Sequence, residues 1–126
     1  MQDARSPSAQ LVGAWRLLSL DTPDSASRGP DAPAADGLIL YDAAGYMSAQ
    51  ILSPNAGEGP MAFHSYFGTY TVDEAAATIT HHRIVNSAPG APRDVVRSYR
   101  FASEDVIVLS IHGHAGTELT FERARR

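Results

Sequence analysis

Six side chains in the second half of the chain carry the chemistry to follow: Tyr66, Tyr70, His81, Arg83, Arg97 and Tyr99. A histidine, with an ordinary pKa of ~6.5, exchanges protons at neutral pH. A guanidinium turned into a protein interior needs a carboxylate or an anionic ligand. A tyrosine hydroxyl beside it can steady a developing oxyanion. As a reaction centre, the set makes His81 the acid/base, with Arg97 and Tyr70 holding an enolate oxygen. As a binding site, it makes Tyr66, Tyr70, His81, Arg83, Arg97 and Tyr99 the wall of a pocket, with Met61 and Phe63 of the preceding loop across its entrance. The plain alternative is a histidine hydrogen-bonded to Tyr70 or Tyr99 without chemistry, beside arginines that reach solvent. Metal binding is not expected: His81 and His82 are adjacent on a strand and point to opposite faces, and His112 and His114 flank a glycine in a turn. No Gly-rich phosphate loop, nucleotide motif or Ser-His-Asp order is present, so no cofactor is expected.

Strand patterning must position these groups. Residues 65–85 read as two strands rich in Tyr, Phe, Thr, Val and Ile, joined by a turn at 73–77. Pairing Val72 with Ile79 places Tyr66, Gly68 and Tyr70 on one face, opposite His81, Arg83 and Val85. Phe67, Thr69, Thr71, Thr80, His82 and Ile84 fall on the other face. Residues 93–102 alternate so that Val95, Arg97, Tyr99 and Phe101 share a face, and no Asp or Glu falls on the inner faces. An unpaired inward arginine therefore points to a ligand carboxylate, enolate or phenolate.

Residues 37–53 form a further hairpin around Asp42-Ala43-Ala44-Gly45. A tight turn there pairs Tyr41 with Tyr46 and Leu40 with Met47. It makes Leu38, Leu40, Met47, Ala49 and Ile51 the core face, and turns Ile39, Tyr41, Tyr46, Ser48 and Gln50 outward. Strands over 106–112 and 117–123 follow, and a first strand begins near Gly13. Residues 1–10 read as a flexible arm, within which Ser6-Pro7 can start one helical turn over residues 9–11. Residues 21–36, 54–64 and 86–92 are loops rich in Pro and Gly.

At 126 residues with a net charge of −4 and no cysteine, the chain is expected to be one domain, 1–126, without disulfides. It lacks the basic cluster that nucleic acid requires. It also lacks an apolar signal core or a run of ~18 apolar residues, so the expectation is a cytoplasmic protein without a membrane partner. About eight strands with short turns and no long helix imply an all-β fold. That fold is an antiparallel up-and-down barrel or a sandwich, and closure removes the exposed sheet edges.

Gly13-Ala14-Trp15-Arg16-Leu17 near the start and Phe121-Glu122-Arg123 near the end resemble the lipocalin pattern. There, a Gly-x-Trp on the first strand packs against an arginine on the last. Further stretches are Tyr41-x-x-x-Gly45-Tyr46-Met47-Ser48-Ala49-Gln50, Tyr66-Phe67-Gly68-Thr69-Tyr70 and Thr80-His81-His82. Together they are similar to the bacterial and fungal lipocalin-like domain family of small single-domain proteins. The resemblance spans residues 11–123 and implies an eight-stranded calycin-type barrel, with Gly13, Trp15 and Arg123 in structural roles. Two functions remain open on these readings. One is a barrel that binds a modest, partly apolar, anionic small molecule. The other is a cofactor-free isomerase, cyclase or dehydratase of polyketide-like natural-product biosynthesis. Either would act as a monomer or homodimer, and a module for protein interaction through the Pro-rich loops ranks below both.

Overall fold

Most strands of this chain turn alternate residues into one interior, and the first strand also pairs with the last. The computed structural model describes residues 6–21, 35–53, 62–88, 90–111 and 116–124. A short helix, α1 (Pro7–Leu11), precedes β1 (Gly13–Asp21), β2 (Asp36–Tyr41), β3 (Tyr46–Ser53) and β4 (Ala62–Asp73). The remaining strands are β5 (Thr78–Asn86), β6 (Asp94–Ser103), β7 (Val106–Ile111) and β8 (Glu118–Arg123). All neighbours are antiparallel and the sheet closes in chain order, as expected for an up-and-down barrel. Eight strands enclose an interior that side chains can just fill, or that admits one small ligand.

The register places the β2–β3, β4–β5 and β6–β7 turns at one end, with α1 beneath them. Ser6 caps α1 by accepting the Ala9 N–H, and Leu11 is buried. The helix thus starts earlier than residue 9 and takes up part of the expected arm; residues 1–5 lie outside the described residues. Trp15 donates its indole N–H to the Leu11 carbonyl at 2.8 Å. The Arg123 guanidinium lies 4.3 Å from the Trp15 ring centroid. It donates to the Val12 and Gln10 carbonyls at 3.0 and 2.8 Å, and to Asp105 at 3.0 Å. The stacking and three polar contacts seal the floor and join the two ends of the chain. Gly13 serves the same junction: its φ is +134°, and a Cβ there would sit 3.0 Å from the guanidinium.

Two register details differ from the sequence expectation. In the β2–β3 hairpin, Asp42 donates its N–H to the Tyr46 carbonyl, Gly45 donates to the Asp42 carbonyl, and Gly45 has φ +102°. The loop is one residue longer than a tight two-residue turn, with glycine in the left-handed position. Tyr41 consequently pairs with Met47 and Leu40 with Ser48. Ile39, Tyr41, Met47 and Ala49 are buried while Leu40 is 43% exposed, so the expected faces of β2 are exchanged.

In the β4–β5 hairpin Val72 does pair with Ile79, and Tyr70 with His81. Above them Gly68 faces Arg83 but Phe67 faces Val85, so Ile84 is a bulge residue. The bulge flips the parity beyond it. Val85, expected inside, is 55% exposed, alongside Ile84 and Phe67. Gly68 makes the bulge possible, because a Cβ there would sit 1.9 Å from the His82 carbonyl oxygen. Gly68→Ala is expected to cost about 2 kcal/mol, since backbone rather than a flexible side chain must move. Urea unfolding checks this; an unchanged midpoint would show that the bulge gives way freely.

Candidate functional site

His81 sits midway along the barrel wall on β5, opposite Tyr70 on β4 and Val95 on β6. Its exposure is 0%, and among the described residues it is the buried polar side chain in a core otherwise built of apolar residues and Tyr41. Strand alternation, set by Ile79 two residues earlier, turns it inward. A buried imidazole is tolerated only when its nitrogens find partners. Both do: the Tyr41 hydroxyl lies 2.6 Å from Nε2 and the Tyr66 hydroxyl 2.8 Å from Nδ1. A phenol from β2 and a phenol from β4 therefore hold the ring from either side.

Burial, with smaller contributions from Arg97, Arg83 and His82, lowers the His81 pKa to about 3. The imidazole is neutral at physiological pH, and both nitrogens are engaged. That arrangement suits a hydrogen-bond relay better than a free acid or base. Burial pushes both Tyr41 and Tyr66 above the usual phenol range, opposed at each by the charge of Arg97 and, at Tyr66, also by Arg83. All three groups are thus uncharged at pH 7, with a cation beside them.

The other expected site residues divide. Arg97 pairs with Ile79 and Ile111 in the ladder, is half-buried, and is close enough for its charge to act on Tyr41, Tyr66 and His81. Arg83 lies 5.1 Å from the Tyr66 ring centroid and donates through Nε and a terminal nitrogen to the Pro92 carbonyl. It therefore ties the β5–β6 loop to the wall and covers Tyr66. Tyr70 does not reach the histidine. Its hydroxyl donates to the Asp42 carbonyl at 2.8 Å, and its ring meets Tyr41 edge-on at 4.9 Å. It braces Tyr41 instead of facing a ligand, against its expected place beside the proton-transfer group. Tyr99 lies lower, against Phe101 and near Asp73 and Glu74 of the β4–β5 turn, so it too is not a partner of His81.

Phe63, expected across the entrance, pairs with Leu52 on the outer surface and is 56% exposed. With Leu38, Leu52 and the Arg16–Asp36 ion pair it borders an open groove of about 310 Å³ on the far side of the wall from His81. Met61, His112 and His114 lie outside the described residues. His82 faces outward as expected, and bonds Thr71 and Asp94 at 3.0 Å each on the barrel exterior. Among the described residues no three His, Asp or Glu side chains converge as a metal site would require.

Tyr41, expected outward, is the residue of the candidate site that instead lies inside. Gly45 was the available signal: as the left-handed residue of a three-residue loop it shifts the register by one and brings Tyr41 inside. Among the described residues no helix is long and apolar enough to cross a membrane. No protein-family model matches the chain, and no curated protein matches it.

Proposed function

We propose that this chain is a lipocalin-like binding barrel for a small, partly apolar molecule carrying an anionic or strongly accepting oxygen. The observation that carries the reading is the Tyr41–His81–Tyr66 chain beside Arg97, set in an interior that is otherwise apolar. Buried polar networks are costly unless every member is satisfied, so a wall of this kind is expected where a polar ligand must be oriented. Interior positions nearer the longer loops, among them Leu20, Ile51, Val95, Arg97 and Ile111, are part-exposed, whereas those toward the floor such as Trp15, Leu17 and Phe121 are buried. The lipocalin-like assignment is supported by the closed barrel and by Gly13, Trp15 and Arg123 meeting at its floor. Cytoplasmic location, and action as a monomer or homodimer on a small molecule, remain part of the same proposal.

The test compares two probes of matched shape: anionic anilinonaphthalenesulfonate and neutral phenylnaphthylamine. Arg97→Met is expected to weaken the anionic probe at least about tenfold, the effect of losing one desolvated charge-assisted contact. The neutral probe is expected to keep its affinity within about twofold, because the methionine stem preserves the apolar wall. Fluorescence titration of both proteins reads the result. Equal losses for the two probes, or none, would remove Arg97 from the ligand site.

A further inference from the structure

Tyr41 is fully engaged at one point only. Its hydroxyl meets His81 Nε2 at 2.6 Å, and among the described residues no second partner is within hydrogen-bonding distance. If Nε2 carried the imidazole proton, the Tyr41 hydroxyl would accept it and leave its own proton buried without an acceptor, with a cation nearby. If Tyr41 donates instead, both contacts are made and the one proton left over is that of Tyr66, at the less buried end. Nε2 accepts from Tyr41, and Nδ1–H donates to the Tyr66 oxygen at 2.8 Å. Tyr66 is half-buried where Tyr41 is buried, so its remaining O–H can point away from the histidine toward the interior. Hydrogen bonds aligned head to tail strengthen one another, and the direction of the whole chain is set at its closed end.

We infer that Tyr41 is a positioning residue that holds His81 in the Nδ1–H tautomer. It thereby makes the Tyr66 hydroxyl a donor directed at the ligand, so that the pocket selects molecules presenting a carboxylate, enolate or carbonyl oxygen beside Arg97. The ligand half of this statement rests on the binding function proposed above; the tautomer half does not. Selection follows from the one-way direction. A ligand whose contacting group can only donate would face the Tyr66 proton and the Arg97 guanidinium, with no acceptor to meet it. A ligand with an acceptor oxygen would receive both.

The experiment is a long-range proton–nitrogen correlation spectrum of nitrogen-15 histidine-labelled protein at neutral pH, with and without Tyr41→Phe. The substitution keeps the ring that Tyr70 meets edge-on and removes only the donor. In the native chain His81 is expected to show a protonated, pyrrole-type Nδ1 and an unprotonated, pyridine-type Nε2. In Tyr41→Phe the Nε2–H form is expected to become populated, because Nε2 has lost its donor. A native Nε2–H tautomer, or an Nδ1–H tautomer unchanged by Tyr41→Phe, would overturn the inference. Binding of anilinonaphthalenesulfonate supplies the second readout. Tyr66→Phe is expected to weaken it about tenfold by deleting the donor, and Tyr41→Phe by about threefold through loss of its direction. The tautomer can fail while Arg97→Met still discriminates the probes, which would leave the binding function standing. Conversely, the tautomer can be correct with no discrimination, which would sink the binding function alone.

Discussion

Acid is expected to unfold this protein through His81 in a window where ordinary surface groups contribute little. The folded pKa is about 3 because the ring is buried beside two arginines, while the unfolded value is ~6.5. Between those values the unfolded chain binds a proton that the native chain refuses, so stability falls as the pH drops. The slope from this one group approaches about 1.4 kcal/mol per pH unit, and the full window amounts to an upper figure of about 5 kcal/mol. Asp36 acts with the same sign only further into acid: the Arg16 hydrogen bond lowers its carboxyl to about 2, and the pair stands in solvent. The control is His81→Gln, which fills the site with a neutral amide. That variant is expected to be less stable by about 2 kcal/mol at pH 7, where imperfect bonds to Tyr41 and Tyr66 dominate. Its acid slope is expected to be shallower, so the two stability curves meet near about pH 5. Urea unfolding at several pH values measures this, and parallel curves would show that His81 is not kept neutral by the fold.

The second large effect is expected at the barrel floor. Trp15 is almost wholly buried, bonds the Leu11 carbonyl, and lies under the Arg123 guanidinium. Trp15→Ala is expected to cost about 4 kcal/mol, from lost burial plus the cavity left behind. Arg123→Ala is expected to cost about 3 kcal/mol, because it removes the ion pair to Asp105 and the donors to two carbonyls that close the ring between α1 and β8. At roughly 4 °C per kcal/mol for a chain of this size, each change lowers the melting temperature by more than about 10 °C. The double variant is expected to lose less than the sum, since each residue's partner is already gone. Arg123→Lys keeps the charge but cannot span acceptors in three directions, so it should recover only a minor part. An Arg123→Ala protein within about 0.5 kcal/mol of the native chain would make the stacked arginine ornamental.

The inward path of β5 was legible because Val72 and Ile79 are apolar residues at mirrored positions around a turn, and alternation from that pair reaches His81 within two residues. Over so short a distance no bulge intervenes. Arg97 was legible for the same reason, being flanked at alternate positions by Val95 and Tyr99. Val85 was misplaced because its face depended on extrapolating past the bulge, where one inserted residue reverses every face beyond it. Phe63 was misplaced because the Pro- and Gly-rich stretch before it reads as loop through residue 64, whereas β4 begins at Ala62 and pairs Phe63 with Leu52. Tyr41 was lost at a loop only one residue longer than the tight turn, since the apolar pattern Leu38-Ile39-Leu40-Tyr41 offers no polar residue to show which face is wet.

By itself, the sequence pattern implied about eight antiparallel strands, as a barrel or a sandwich, with His81 and Arg97 facing the interior, and the resemblance to lipocalin-like domains implied the closed barrel with its Trp–Arg floor. Those properties rest on local alternation and on strongly typed residues such as Gly13 and Trp15. Which hydroxyls hold the histidine was decided only by tertiary structure. Tyr41 and Tyr66 come from strands whose register depends on Gly45 and on the Gly68 bulge, each a backbone choice made in the folded barrel. The same packing keeps His81 neutral, because closing the barrel around it removes the water that would otherwise solvate its charge.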